Sequence, residues 1–209
     1  MRKSISIFAV LLVGTLGGRF ASATSTCNGV SNNLVANCSF QTGDFTSWSG
    51  TTTTDLFSGV DQGDPNALPG SQTPFGGQPD EAFLGSFTPS TLTQTLTTVA
   101  GDQYTIAFAL LNDTASGGAA SGPNSFEAEF GTDILLSETN TPVDGYTLST
   151  FIVDATSAST DLTFTSENNT GDFELDSISV AQTPEPGSFL LLGTALLGLA
   201  GLVSRRMIA

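Results

Sequence analysis

Apolar and polar residues alternate along several short segments in the middle of the chain. The pattern is clearest in TLTQTLT (91–97), QYTIAFAL (103–110), SFEAEF (125–130) and DLTFT (161–165). Because successive side chains of a strand point to opposite faces, this alternation predicts half-buried strands with one wet face. Further strands are predicted at 34–36, 45–49, 81–87, 134–137, 146–153 and 173–180. No helical periodicity interrupts them, so we expect an all-β domain.

Ten or so short strands with one polar face are typical of an antiparallel β-sandwich. The number favours a jelly roll over a seven-stranded immunoglobulin fold. The last predicted strand has an irregularity: Phe173 and Leu175 are odd-numbered, whereas Ile178 and Val180 are even-numbered. The apolar face therefore changes parity at 176–177, which predicts a β-bulge that re-aims Asp176.

The two ends of the chain have a different pattern. The N-terminal segment is typical of a secretory signal peptide cleaved after Ala23: it contains Arg2-Lys3, an apolar run over 5–16 and small residues at 21–23.

Near the other end, the uncharged run 189–203 has 15 residues, about 22 Å as a helix, and is followed by two arginines. With residues 187 and 188 it reaches the lower limit for a transmembrane helix whose arginines stay cytoplasmic.

The charged residues limit the functions that are possible for the domain between these ends. The chain has 20 Asp and Glu against 5 Lys and Arg and no His, and residues 21–203 contain no basic residue. Nucleic-acid binding is disfavoured because phosphate contacts are made mainly by Lys and Arg, and a P-loop is excluded because its Lys is missing. Without His, neither a Ser-His-Asp triad nor a Cys-His pair can form. Carboxylate, hydroxyl and amide chemistry remain.

Residues 183–187, TPEPG, precede the apolar run and the basic end. This order resembles the PEP-CTERM sorting signal of exported bacterial proteins. The resemblance implies recognition at the inner membrane by an exosortase, cleavage near Pro184-Glu185-Pro186, and an association with exopolysaccharide and biofilm. We therefore divide the chain into a signal peptide (1–23), a β-sandwich ectodomain (24–182) and a sorting signal (183–209), with its apolar helix at 188–203.

A second resemblance lies in the ectodomain. The segment NLVANCSFQTGDFTSW (33–48) is similar to the opening of galactose-binding-like β-sandwiches, and 92–112 and 173–180 are similar to their central and final strands. Such domains resemble carbohydrate-binding modules, and many hold a structural calcium. The resemblance implies that the calcium ligands in this chain are Gln41 and Asp176. At the position of Gln41 the family usually has Glu. An ordinary bulge with exposed acids is the alternative.

Cys27 and Cys38 are the only cysteines. In an exported chain we expect them to form a disulfide, with free thiols as the alternative. The bridge would join the mature N-terminus to the first predicted strand.

Candidate sugar-binding and catalytic residues are few. Trp48, Tyr104 and Tyr146 are interpreted as packing residues, and Phe75 is the one aromatic that its context leaves exposed. Glu127 and Glu129 share the wet face of a strand, which is compatible with a carboxylate glycosidase but is also what any exposed strand shows. We therefore expect no enzyme activity.

The hypothesis from the sequence is an exported surface protein whose sandwich is a structural or adhesive component of the extracellular matrix. A calcium-dependent carbohydrate-binding module is the alternative, and a carboxylate glycosidase is a third, less favoured one. The expected partners are an exosortase, the secretion machinery, the inner membrane before processing, and polysaccharide. No nucleic-acid partner is expected.

Overall fold

The computed structural model describes residues 27–62, 80–113 and 122–183. The predicted signal peptide, the Pro184-Glu185-Pro186 motif and the predicted transmembrane helix 188–203 lie outside these ranges. Within them, no helix has the length and apolar character needed to cross a membrane.

Strands make up most of the described chain. They are β1 (Ser58–Gln62), β2 (Asp80–Leu84), β3 (Ser90–Thr97), β4 (Gln103–Asp113), β5 (Asn124–Phe130), β6 (Asp133–Thr139), β7 (Thr147–Asp154), β8 (Ser159–Asn168) and β9 (Asp172–Gln182). Two short 3₁₀ helices cover Cys27–Gly29 and Thr51–Thr54. The expectation of an all-β domain is therefore confirmed for the described ranges.

The strands form two antiparallel sheets. One has the order β1-β2-β9-β4-β7 and the other β3-β8-β5-β6, and every strand pair within them is antiparallel. Without the edge strand β1, the two interleaved four-stranded orders are those of an eight-stranded jelly roll. The antiparallel sandwich is confirmed, and its topology agrees with the predicted jelly roll.

Aromatic side chains fill the space between the sheets. Phe108 from the five-stranded sheet meets Phe164 from the four-stranded sheet edge-to-face, with ring centroids 5.2 Å apart. Phe126 packs against both Phe164 and Phe173, and all four rings are fully buried. Burial of rings this large supplies much of the apolar driving force of a small domain. The predicted alternation thus places one face of each sheet in a common core.

Two strands predicted from the sequence are absent, and one strand was not predicted. Residues 34–36 and 45–49 are turns and irregular chain, with only an isolated bridge between Ser49 and Thr93. Positive φ angles at Asn37, Phe40 and Ser47 break the extended conformation that a strand requires. The sequence prediction also missed β1, because Val60 is its only apolar residue and gives no alternation to detect.

The segment 33–41 nevertheless lies along the sandwich. Leu34 N donates to Val180 O at 2.8 Å, and Ile178 N donates to Cys38 O at 2.8 Å. The buried amide of Gln94 both accepts from and donates to the backbone of Ala36, at 2.8 and 3.0 Å. Two hydrogen bonds from one side chain satisfy a non-strand backbone that would otherwise be unpaired beside the core.

The disulfide predicted between Cys27 and Cys38 is confirmed. The Sγ–Sγ distance is 2.01 Å and the Cα–Cα distance is 6.0 Å. Both residues are buried in the core cluster. The bridge therefore ties the first described turn to the segment that pairs with β9.

The predicted bulge in β9 is also confirmed. Ala107 pairs with Ser179 and Ala109 with Asp176, so one residue of β4 faces two residues of β9. Ser177 has a φ of 52°, the left-handed conformation found at such irregularities. The extra residue explains why the core face of β9 contains Phe173 and Leu175 before the bulge, but Ile178 and Val180 after it.

Candidate functional site: a carboxylate face on the five-stranded sheet

Acidic side chains gather on the outer face of the five-stranded sheet. On β9, Phe173 and Leu175 point into the core, so the acids that alternate with them point outward. The strand register brings acids from β1, β2 and β4 onto the same face. We call this set the carboxylate face: Asp61, Glu81, Asp113, Asp172, Glu174 and Asp176.

The register places these acids close together. Asp61 is directly opposite Glu81, and Asp113 is directly opposite Asp172. Glu174 is opposite Phe83, two residues from Glu81 on the same strand. Directly opposite side chains have Cβ atoms about 5 Å apart and diagonal ones about 7–8 Å apart. Neighbouring carboxylates at this spacing repel one another when they are ionised.

Three of these acids are buried although they are on the outer face. The exposed fractions are 4% for Glu81, 8% for Glu174 and 0% for Asp176. No Lys, Arg or His lies between residues 20 and 204 to neutralise them. Burial without a nearby cation strongly disfavours the charged form of a carboxyl group. The protein must therefore keep these groups protonated or neutralise them from outside the domain.

The pKa values follow from this environment. Burial, reinforced by the charge of Glu81, raises the pKa of Glu174 to about 9. Burial also raises the pKa of Asp176 to about 8, partly offset by the Ser177 N–H. The pKa of Glu81 is raised to about 7 and that of Asp172 to about 6, again mainly by burial. Glu81, Asp172, Glu174 and Asp176 thus titrate across neutral pH rather than near pH 4.

Tyr146, immediately before β7, is part of the same face. Its Oη donates a hydrogen bond to Oε2 of Glu81. Burial and the nearby charges of Glu81 and Glu174 raise the pKa of the phenol, which therefore remains protonated as a donor. The sequence prediction of Tyr146 as an ordinary packing residue missed this contact. Tyr104, by contrast, is 3% exposed in the core, as expected.

Two buried carboxylate oxygens on this face lack a hydrogen-bond partner among the described residues. They are Oε2 of Glu174 and Oδ2 of Asp176. Leaving a buried polar atom unpaired costs about 1–3 kcal/mol, and more if it is charged. Protonation removes the charge but leaves an O–H to be paired, whereas a water molecule or an external cation would pair with the oxygen. The two oxygens are therefore positions at which a cation would stabilise this face.

The predicted calcium ligands Gln41 and Asp176 both lie next to the start of β2. Gln41 Nε2 donates to Ser39 O at 2.9 Å and to Asp80 O at 3.4 Å, which leaves its Oε1 as an acceptor. Asp176 is close enough to Asp80 for that charge to raise its pKa. An amide oxygen and an orphaned carboxylate oxygen are donors that calcium prefers.

These donors fit calcium in kind, but they are few. Within 27–62, 80–113 and 122–183, no three Asp, Glu, Cys or His side chains are grouped as metal ligands. Backbone carbonyls and water would have to supply the rest of a shell of six to eight oxygens. The presence of calcium at Gln41 and Asp176 therefore stays a prediction.

The remaining candidates from the sequence are placed as follows. Glu127 and Glu129 are half-buried on the outer face of the other sheet, away from the carboxylate face. Trp48 is 7% exposed and packs against Phe40 and Phe164, as expected of a packing residue. Phe75 and the sorting motif lie outside the described residues. Two further aromatics, Phe57 and Phe87, are 52% and 49% exposed, which the sequence pattern did not predict.

The C-terminal residues match a known protein-sorting motif. Residues 182–206 match the PEP-CTERM protein-sorting motif. The match covers the Pro-Glu-Pro sequence, the apolar run and the two arginines. Among curated proteins, no sequence matches the chain significantly.

Solved structures resemble the sandwich distantly. The carbohydrate-binding module TmCBM61, in complex with beta-1,4-galactotriose, is 17% identical with a TM-score of 0.48, over 73% of this chain and 100% of that chain. The CBM22-1 xylan-binding domain from Paenibacillus barcinonensis Xyn10C is 15% identical with a TM-score of 0.44, over 72% and 94%. The enzymatically active domain of bacteriophage CBA120 tailspike protein 4 is 17% identical with a TM-score of 0.49, over 72% and 21%. Because these TM-scores are below 0.5, we infer no ligand or activity from them.

The sorting motif is more specific than the structural resemblance, because a Pro-Glu-Pro sequence, an apolar run and basic residues follow one another in a fixed order near one end of the chain. It implies a protein that is exported and sorted to the cell surface. The chain therefore carries an antiparallel β-sandwich followed by a PEP-CTERM protein-sorting motif.

Proposed function

We propose that this chain is an exported cell-surface protein, processed by an exosortase at Pro184-Glu185-Pro186, whose sandwich is a structural or adhesive component associated with exopolysaccharide. The match of residues 182–206 to the sorting motif carries the proposal. The predicted signal peptide 1–23 supplies the export step, and the predicted helix 188–203 holds the chain transiently in the inner membrane. We assign the sandwich no enzymatic activity.

The charge distribution supports a role among extracellular polymers. The chain has a formal net charge of −15, and all 20 of its acids lie between residues 20 and 204. Such a domain is solvated and repelled by anionic neighbours when cations are scarce, and is bridged to them when divalent cations are present. The disulfide and the aromatic core make it a stiff unit rather than a flexible chain.

Replacing the sorting motif tests the processing step. In the native host, a variant with Ala at 184, 185 and 186 is expected to stay in the membrane fraction, because prolines no longer hold an extended, accessible strip outside the membrane. Wild type and a Thr183→Ala control are expected at the cell surface. Equal surface release of the triple variant and wild type, measured by fractionation and immunoblotting, would overturn exosortase processing at this motif.

A second candidate function is a calcium-dependent carbohydrate-binding module. The buried, unpartnered Oδ2 of Asp176 favours it, because a cation there would satisfy an oxygen that the described residues leave unpaired. Calcium bound at the junction of the 33–41 segment and β9 would stabilise the sandwich that presents a sugar-binding surface.

Affinity electrophoresis separates the two candidates. The exported protein is run through gels containing a panel of polysaccharides, each with calcium and with chelator. Retardation by one glycan class that chelator abolishes supports the calcium-dependent module. Retardation that is the same in chelator supports a calcium-independent adhesive protein. A mobility that no polysaccharide changes contradicts the association with polysaccharide for that panel and leaves a structural surface role.

A further inference from the structure

Phe57 and Phe87 form an exposed ring pair at one end of the sandwich. Their centroids are 4.4 Å apart with an interplanar angle of 66°, and the rings are 52% and 49% exposed. Phe57 precedes β1, and Phe87 follows β2, so both lie at the edge where the five-stranded sheet ends. Most other aromatic residues in the described ranges are in the core. Two touching rings left in water mark a contact surface.

A cleft of about 320 Å³ lies against this pair. This volume falls within the range of small-ligand sites. Apart from the two rings and Pro89, the cleft is lined by hydroxyl-bearing residues and one acid: Thr51, Thr54, Asp55, Ser86, Thr88 and Ser90. The cleft therefore combines an apolar wall, many neutral hydrogen-bonding groups and a single carboxylate.

The backbone holds this arrangement in place. Phe57 O accepts from Gly85 N at 3.1 Å, and a Cβ on Gly85 would come within 2.6 Å of that oxygen. Thr51 Oγ1 accepts from Thr91 N at 2.9 Å, which ties the 3₁₀ helix to β3. Asp55 Oδ1 accepts from Phe57 N at 2.9 Å. A site fixed before a ligand arrives loses less entropy on binding.

We propose that this cleft is the saccharide-contact site of the protein: a neutral sugar ring packs its C–H face on Phe57 and Phe87, and a sugar hydroxyl donates to Asp55. The proposal rests on the proposed association with polysaccharide and adds the place of contact and the class of sugar. Asp55 Oδ1 is held by Phe57 N, which leaves Oδ2 to accept from a ligand. Hydrogen bonds to a carboxylate are stronger than those between neutral groups.

The lining selects a neutral sugar over other ligands. Without bridging divalent cations, an anionic sugar would be repelled by Asp55 and by a chain of net charge −15. A fully apolar ligand would cover the Asp55 carboxylate and leave its Oδ2 without a partner, since only Oδ1 is paired among the described residues. A pyranose ring has both an apolar C–H face and peripheral hydroxyls, so it matches both walls of the cleft.

The test uses the exported protein and variants in affinity gels with neutral polysaccharides. Phe57→Ala, Phe87→Ala and Asp55→Asn are compared with Ile152→Ala, a control that truncates another exposed apolar residue, 62% exposed on β7. Where wild type is retarded, we expect Phe57→Ala and Phe87→Ala to bind about tenfold or more weakly, because truncation removes an aromatic anchor. Asp55→Asn is expected to weaken binding because it removes a charge-assisted hydrogen bond. Ile152→Ala is expected to bind like wild type. Unchanged unfolding temperatures would show that the variants are folded.

The outcomes separate this site from the proposed function. If wild type is retarded and the cleft variants are retarded equally, the protein binds polysaccharide elsewhere and the cleft is not its site. If anionic polysaccharides retard the protein and neutral ones do not, the proposed sugar class is wrong. If wild type is not retarded by any polysaccharide, the association itself fails, and the proposed site fails with it.

Discussion

The phenol of Tyr146 donates a hydrogen bond to the carboxylate of Glu81, across the outer face of the five-stranded sheet and over a sequence separation of 65 residues. It is a neutral donor in a region of the chain that has no basic residue. The buried carboxyl group of Glu81 is thus hydrogen-bonded to a neutral donor where other proteins would place a salt bridge. The other buried acids of this face depend on protonation to remain uncharged. The stability of the domain must then depend on pH.

We expect the free energy of unfolding to fall as the pH rises from about 5 to about 9. Folding raises the pKa of Glu81 to about 7, of Asp176 to about 8 and of Glu174 to about 9, whereas the unfolded chain has pKa values near 4. The folded protein thus holds protons that the unfolded chain has released. The stabilisation is complete below about pH 4. Above that pH it declines by up to about 1.4 kcal/mol per pH unit for each proton, until each group reaches its folded pKa at about pH 7–9.

Urea unfolding at a series of pH values measures this slope. Glu174→Gln is expected to flatten it at the alkaline end, because an amide of the same shape does not titrate. Glu127→Gln, a half-buried glutamate on the other sheet, serves as the control and should keep the slope of wild type. Stability that is constant or rises between pH 5 and 9 is incompatible with the buried carboxylate face.

Tyr146→Phe is expected to destabilise the fold in a pH-dependent manner. At pH 8, where the Glu81 carboxylate is largely ionised, loss of its donor should cost about 1–3 kcal/mol. At pH 5 the carboxyl group is protonated, so the cost should be smaller. Tyr104→Phe also removes a hydroxyl that accepts a hydrogen bond, from Val99 N at 3.0 Å, and its cost should not vary with pH. Equal pH profiles for the two variants would rule out the proposed role of Tyr146.

Calcium is expected to raise the unfolding temperature through Gln41 and Asp176. A ligand that binds only the folded state stabilises it by about 2.7 kcal/mol at a concentration 100 times Kd. Asp176→Asn should remove the effect, and Gln41→Glu should strengthen it by adding a carboxylate ligand. Thermal unfolding in calcium and in chelator measures both. If wild type and Asp176→Asn respond to calcium identically, the cation is bound elsewhere.

The paired substitution Cys27→Ser and Cys38→Ser should cost about 2–3 kcal/mol of stability, because the bridge closes an 11-residue separation in the unfolded chain. The loss should appear as a lower urea midpoint, with no change in polysaccharide binding below that midpoint. Reduction of wild type should reproduce it. A reduced protein as stable as the oxidised one would mean that the hydrogen bonds to β9 alone hold the 33–41 segment.

Alternation in the sequence predicted the long strands because buried and less buried residues alternate regularly along them. In β5, Phe126, Ala128 and Phe130 are buried and the residues between them are not, as the pattern requires. The same reasoning located the bulge in β9, since Phe173 and Ile178 must both reach the core. It failed for segment 34–36, whose residues are apolar but whose backbone bonds to β9 only through Leu34 N and is otherwise paired with side chains, including that of Gln94.

The carboxylate face was less accessible to sequence reasoning. The alternation of acids with Phe173 and Leu175 in DFELD was visible, but acids on an outer strand face are normally solvated. Only the register between strands that are far apart in sequence shows that Glu81 lies beside Glu174 and that both are buried. The exposed pair Phe57 and Phe87 depends in the same way on the ends of two strands meeting.

The intact mass of the protein recovered from the cell surface tests the central claim most directly. The account predicts a chain that begins near residue 24, ends near Pro184-Glu185-Pro186, and lacks the apolar run 189–203. In cells without exosortase activity, the chain should instead be recovered from the membrane fraction with residues 189–209 retained. A surface protein whose mass includes residues 189–209 in exosortase-competent cells would contradict processing at the sorting motif.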